Sequence, residues 1–140
     1  RNLEFQKQLS ALYMQKGDYA RGIQAARNVM EIIKSTPDAP VDESFVGLAN
    51  LGRYQALVGA KDQALETLDQ AMEIWPKNKF PDILYLIAIS YKKIGEMDQY
   101  LKTIQLLEAS TDPFWREAAA QEIKAMTPNQ DVDRLLGKKS

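Results

Sequence analysis

The 140-residue chain contains neither cysteine nor histidine, and each absence limits its chemistry. Without cysteine there can be no disulfide, thiolate nucleophile or zinc–sulfur site. Without histidine the chain lacks the usual general base near neutral pH and the commonest metal ligand in proteins. An enzyme could still use carboxylates, lysines or tyrosines, but this set of catalytic groups is small. We therefore expect a protein that is not an enzyme and that holds no cofactor or metal ion.

The chain also lacks an excess of either charge and a long apolar run. Its 18 Lys and Arg residues face 19 Asp and Glu residues, whereas proteins that bind nucleic acid or anionic membranes carry a clustered basic excess. The longest strongly apolar stretch, residues 83–89, is far shorter than the ~20 residues that cross a bilayer. We expect no nucleic-acid partner and no membrane insertion by these residues.

The length of the chain predicts a single domain, residues 1–140, with a core of its own. The first residue is Arg1, and no signal-peptide pattern follows it. We expect the chain to be a segment of a longer protein, so its compartment cannot be inferred from these residues.

Three stretches of the sequence share one pattern, in which a glycine separates two segments of helical periodicity. The stretches are YMQKGDYARGIQAA, QALVGAKDQALETL and YKKIGEMDQYLKTI, and their glycines are Gly17, Gly59 and Gly95. A glycine in this place is typical of a left-handed cap, which ends one helix shortly before the next begins. The pattern therefore predicts an all-α fold built from three helical hairpins.

The three hairpins resemble tetratricopeptide repeats, whose period is about 34 residues. Residues 45–78 fit this family without a gap, and its signature places are occupied by Leu51, Gly52, Gly59, Ala64, Leu68, Ala71 and Pro76. This repeat departs from the family mainly at Leu48, usually tryptophan, and at Gln55, usually an aromatic residue. The first repeat covers about residues 3–36 and the third about 81–112. The resemblance implies a right-handed superhelix of antiparallel helix pairs, an α-solenoid.

In this family the two helices of a repeat cross closely at a pair of small residues. The corresponding pairs here are Ser10 with Gly22, Gly52 with Ala64, and Ala88 with Tyr100. Because tyrosine is large, we expect either that the third hairpin splays or that the ring of Tyr100 turns toward the next helix. Replacing Gly52 by leucine should overpack the second crossing and cost about 1–3 kcal/mol.

The stretch STDPFWREAAAQEIKAM predicts a capping helix over residues 112–126. Thr111 or Asp112 is suited to the N-cap, and Pro113 to the first turn. An apolar stripe at helical spacing would cover the open face of the last repeat, and it consists of Trp115, Ala119, Ile123 and Met126. Residues 127–140 predict a short terminal helix or a tail.

Acidic residues are concentrated in residues 58–76, where Glu66, Asp69 and Glu73 share one helix face. The opposite face is apolar. Catalytic carboxylate pairs need burial or an apolar wall to separate their pKa values, and the sequence indicates neither. We interpret these acids as the solvated outer face of a helix.

The resemblance implies that the first helix of each hairpin lines a concave groove, which binds a peptide or helix of a partner protein. The residues expected to contact the partner are Lys7, Met14, Asn50, Arg53, Leu57, Tyr85, Ile89 and Lys92. One subset of the family clamps the carboxylate at the end of chaperone tails. Only Lys7 and Asn50 match that clamp, and Asp82 would repel a carboxylate, so we reject this function.

The resemblance therefore implies a non-catalytic scaffold for protein–protein interaction. The repeats and the DPFW segment are similar in style to bacterial envelope, secretion and polysaccharide-export scaffolds. Two alternatives stay open. One is a homo-oligomeric spacer that associates through its terminal helices, and the other is a regulatory domain of a larger enzyme.

Overall fold

The computed structural model describes residues 2–126, and all regular secondary structure in that range is α-helical. The helices are α1 (Leu3–Gln15), α2 (Tyr19–Lys34), α3 (Val41–Leu57), α4 (Lys61–Glu73), α5 (Pro81–Lys93), α6 (Met97–Glu108) and α7 (Pro113–Ala125). The predicted all-α class is confirmed for these residues, and none of these helices is long and apolar enough to cross a membrane. The terminal helix or tail predicted for residues 127–140 lies outside the described residues.

The same turn joins the helices of each hairpin. Gly17, Gly59 and Gly95 adopt φ values of 83°, 81° and 83°, in the left-handed region. Each glycine N–H donates to the carbonyl oxygen three residues earlier, and the next N–H donates to the carbonyl oxygen five residues earlier. This pair of bonds defines a Schellman cap, which satisfies carbonyl groups at the end of the helix. The glycine caps predicted from the sequence are confirmed at all three places.

The chain divides into two compact units, which we call unit 1, up to Lys77, and unit 2, from Asn78. Unit 1 contains α1 to α4, and each of these helices packs against the next. A cluster of buried side chains joins α2 and α3, and it consists of Ala26, Val29, Met30, Ile33 and Leu51. Leu3 of α1 packs against this cluster, so three of the four helices share one core.

Small residues allow the helices of unit 1 to approach closely. The Ser10 hydroxyl donates a 2.7 Å hydrogen bond to the carbonyl oxygen of Gly22, which confirms the predicted contact of this pair. A Cβ atom placed on Gly52 would lie 2.7 Å from Cδ2 of Leu68. A Cβ on Gly47 would lie 2.6 Å from the sulfur of Met30. Close packing of α3 against both α2 and α4 therefore depends on these glycines.

Helix α3 begins at Val41, four residues before the predicted start of the second repeat. Pro40 is extended, and Asp42 and Glu43 lie in the first turn. Acidic residues at this place interact favourably with the positive end of the helix dipole. Residues 41–44, which lie between the predicted first and second repeats, therefore belong to the helix.

As far as Met126, unit 2 contains α5, α6 and α7, and α7 packs against both other helices. Its most deeply buried large side chains are Leu84, Ile87, Tyr91, Tyr100, Leu101, Ile104 and Leu107. Of the two N-caps considered for α7, the structure has Asp112, whose carboxylate accepts a 3.0 Å hydrogen bond from the N–H of Phe114. Of the two outcomes expected for Tyr100, the second is found, since its hydroxyl bonds to Glu122 on α7.

Candidate interaction surfaces

The predicted partner-binding residues are divided between the two units. Unit 1 carries five of them, on α1 and α3, and these are Lys7, Met14, Asn50, Arg53 and Leu57. Unit 2 carries Tyr85, Ile89 and Lys92, all on α5.

In unit 1, Lys7 of α1 and Asn50 of α3 line the same small groove, which has a cavity volume of about 40 Å³. Ala26 and Val29 of α2 contribute to its lining, together with Val46 of α3. No described carboxylate forms an ion pair with Lys7. The groove thus combines aliphatic walls with an ammonium group that is available to an external ligand.

Asn50 is held by its neighbour Arg53, whose guanidinium donates a 3.1 Å hydrogen bond to Oδ1 of Asn50. The guanidinium carbon also lies 5.3 Å from the ring centre of Tyr54, a cation–π distance. Because Oδ1 accepts from Arg53, the amide nitrogen of Asn50 remains as a donor. The groove therefore offers donors of hydrogen bonds in addition to the positive charge of Lys7.

Three of the five predicted residues of unit 1, Arg53, Met14 and Leu57, do not line this groove. Met14 lies at the crossing of α1 and α2, where its sulfur would be 2.5 Å from a Cβ atom on Gly22. Leu57 is 46% exposed near the end of α3. Met14 thus contributes to packing within its own hairpin.

In unit 2, the side chains of Tyr85 and Lys92 contact helix α7 as well as solvent. The carboxylate of Glu122 accepts a 3.2 Å hydrogen bond from the Tyr85 hydroxyl and a second hydrogen bond from the Tyr100 hydroxyl. Lys92 Nζ lies 3.8 Å from the same carboxylate and 5.4 Å from the ring centre of Tyr100. We call these four residues, Tyr85, Lys92, Tyr100 and Glu122, the Glu122 cluster.

An aromatic contact lies beside the Glu122 cluster. The ring centres of Tyr85 and Trp115 are 5.6 Å apart, and the two planes are tilted by 44°. This is the distance range of favourable aromatic pairs. Trp115 and Glu122, seven residues apart on α7, therefore both contact Tyr85 of α5. Ile89, the third residue predicted on this helix, is half-buried.

The two tyrosines of the cluster are hydrogen-bond donors. Burial raises the pKa of Tyr100 well above its usual range, and the hydrogen bond and negative charge of Glu122 raise it further. The pKa of Tyr85 is raised by burial first and then by the charge and hydrogen bond of Glu122. Both phenols therefore stay protonated near neutral pH, where neither is suited to act as a general base.

Glu122 was not identified from the sequence as a functional residue. The sequence did identify the apolar stripe of α7, and Glu122 directly precedes Ile123, which is a member of that stripe. Its distance of seven residues from Trp115 places both side chains on one helix face. A carboxylate on the packing face was a signal that a polar partner lies opposite, but only the structure identifies the tyrosines as that partner.

The acidic residues of α4 have the arrangement expected from the sequence. Glu66, Asp69 and Glu73 are exposed, whereas Leu68 and Ala71 on the other side are fully buried. The solvated-face interpretation is confirmed. Within residues 2–126, no group of three acidic side chains is arranged to hold a metal ion.

No known family model matches the chain, and no curated protein matches it at a significant level.

Proposed function

We propose that this chain is a non-catalytic protein–protein interaction module, which binds a peptide or helix of a partner with the α1–α3 face of unit 1. The groove of unit 1 supports the proposal most directly. Lys7 lines it together with aliphatic side chains, and no described carboxylate pairs with Lys7. Such a combination suits an amphipathic segment, whose apolar side chain fills the groove and whose acidic group pairs with the ammonium.

We propose further that the three hairpins are tetratricopeptide-type repeats stacked as an α-solenoid. The support is the Schellman turn that recurs at the same place in each hairpin. As the setting we propose a bacterial envelope, secretion or polysaccharide-export assembly, on the basis of the repeat style and the DPFW segment.

The absence of catalysis is part of this proposal. The pKa values of Tyr85 and Tyr100 are raised, and both phenols donate hydrogen bonds to Glu122. Their role in holding α7 accounts for these shifts, since networks that stabilise structure also perturb pKa values.

The proposal is tested by selecting peptides from a random display library on the full chain and measuring their affinity by fluorescence anisotropy. Lys7→Glu reverses the charge in the groove and should weaken binding by about tenfold or more. Lys61→Glu is the matched control, because Lys61 is exposed on α4, away from the groove. If the selected peptides bind the Lys7→Glu chain as tightly as the parent, the groove assignment is wrong.

Self-association through the terminal helices is the second candidate function. It is favoured by exposed apolar side chains on α1 and α7, since Phe5 is 60% exposed, Leu12 45% and Phe114 68%. Light scattering would then report a dimer that is lost when residues 111–140 are removed.

A further inference from the structure

Helix α7 packs against α5 and α6 with one fully buried residue and several half-buried ones. Ala119 is its only fully buried residue within Pro113–Ala125, and Phe114 is 68% exposed. The specific contacts are Trp115 on the ring of Tyr85 and Glu122 on the two phenols and Lys92. Trp115 and Glu122 thus supply the aromatic and polar contacts that join α7 to α5 and α6, in addition to the apolar packing around Ala119.

The groups that bind Glu122 all belong to α5 and α6. Tyr85 and Lys92 come from α5, and Tyr100 comes from α6. Together they provide two hydroxyl donors and one ammonium group within reach of a single carboxylate. Hydrogen bonds to an ionised acceptor are stronger than bonds between neutral groups. Without α7, this face of unit 2 would present a site with the chemistry to bind an acidic side chain.

We propose that this face of α5 and α6 is a recognition site for a helix that presents a carboxylate and an aromatic ring, that α7 occupies it within the chain, and that a partner helix displaces α7. The partner helix carries an aromatic residue and, seven positions later, a glutamate, which is the spacing of Trp115 and Glu122. This inference rests on the proposed function as an interaction module. To that function the inference adds a second binding site, on unit 2, and the chemistry of its ligand. In the isolated chain this site is closed because α7 occupies it.

The geometry allows a competitor to reach the site. The side chain of Lys92 is 51% exposed even with α7 in place, so an incoming carboxylate can pair with it before α7 leaves. The four residues between α6 and α7, residues 109–112, permit α7 to separate while α5 and α6 keep their common core. Tyr85 and Lys92, which were predicted to bind a partner, become available in the same step.

The test uses a synthetic peptide of residues 110–126 added to the full chain, with binding measured by titration calorimetry. In the parent the site is filled by its own α7. Glu122→Lys places a cation beside Lys92, which should release α7, and the chain should then bind the peptide at least about tenfold more tightly than the parent. Glu117→Lys, the same charge change at an exposed position of α7, should bind like the parent. Equal affinities of the Glu122→Lys chain and the parent would overturn the proposal.

A second measurement keeps the test decisive if Glu122→Lys disturbs the folding of unit 2. The parent chain is mixed with an excess of the same peptide, and amide hydrogen exchange is followed helix by helix. The peptide should accelerate exchange in α7 while α5 and α6 stay protected, and a peptide carrying Glu122→Gln should do so less. Equal exchange with both peptides would contradict carboxylate recognition. The peptide is the chain's own α7 sequence and tests only the site on unit 2. A negative result in this experiment therefore does not affect the test of the groove in unit 1.

Discussion

Replacing Gly52 by alanine should destabilise the protein, although alanine is the better helix former. A Cβ atom at this position would lie 2.7 Å from Cδ2 and 2.8 Å from Cγ of Leu68, and 3.3 Å from its backbone nitrogen. Leu68 is fully buried, so its side chain has no open space into which to move. Overpacking of this kind costs about 1–3 kcal/mol, whereas the change from glycine to alanine in a helix gains about 1 kcal/mol. We expect a net loss of about 1 kcal/mol in the free energy of unfolding.

The sign of this effect should reverse when Leu68 is shortened. Leu68→Ala alone should cost about 2–5 kcal/mol, because it leaves a cavity in a fully buried site. In that background the Cβ of alanine at position 52 no longer meets the leucine side chain, and Gly52→Ala should stabilise by up to about 1 kcal/mol. The two changes are therefore coupled by about 2 kcal/mol, within the range observed for residues in contact.

The assay is urea denaturation of the parent, both single variants and the double variant, followed by far-ultraviolet circular dichroism. Linear extrapolation gives the free energy of unfolding of each chain. An increase in stability on Gly52→Ala in the parent would refute the close packing of α3 against α4. The same size of effect in both backgrounds would show that Leu68 is not the obstacle.

Two further predictions concern polar groups in the interior. Gln55 is 2% exposed, and its Oε1 has no hydrogen-bond partner within the described residues. Because methionine is similar in shape and has no unsatisfied oxygen, Gln55→Met should raise the free energy of unfolding by about 1 kcal/mol. The exposed control Gln70→Met should change it by less than about 0.5 kcal/mol. Because the pKa values of Tyr85 and Tyr100 are raised in the folded state, their contribution to stability is fully present below the unfolded tyrosine pKa of about 10 and is lost as pH rises above it. Alkaline titration followed by tyrosinate absorbance should show these two phenols ionising at a higher pH than an ordinary tyrosine, and a titration of all six tyrosines near their ordinary pKa in the folded protein would contradict this.

The buried Oε1 without a hydrogen-bond partner among residues 2–126 belongs to Gln55, where the sequence comparison already showed a glutamine in place of the usual aromatic residue. Gln55, like Tyr13 and Tyr91, provides the carbonyl oxygen that accepts the Schellman hydrogen bond from the N–H five residues later. Tyr91 is buried at the equivalent place of the third hairpin. The comparison of repeats thus indicated that position 55 is unusual, whereas its energetic consequence depends on burial by neighbouring residues, which the sequence does not specify.

The sequence by itself determined the presence of the helices and the three glycine turns, and it limited the N-cap of α7 to Thr111 or Asp112. These features depend on interactions between residues close in the chain, such as a left-handed glycine or an aspartate beside a free N–H group. The tertiary structure alone decided that Glu122 meets Tyr85 and Tyr100, and that Met14 lies at a helix crossing. The helical period restricts which residues share a face, but the partner of that face comes from a distant segment and is selected by packing. For this reason two residues predicted to bind a partner, Tyr85 and Lys92, are bound by the chain's own last described helix.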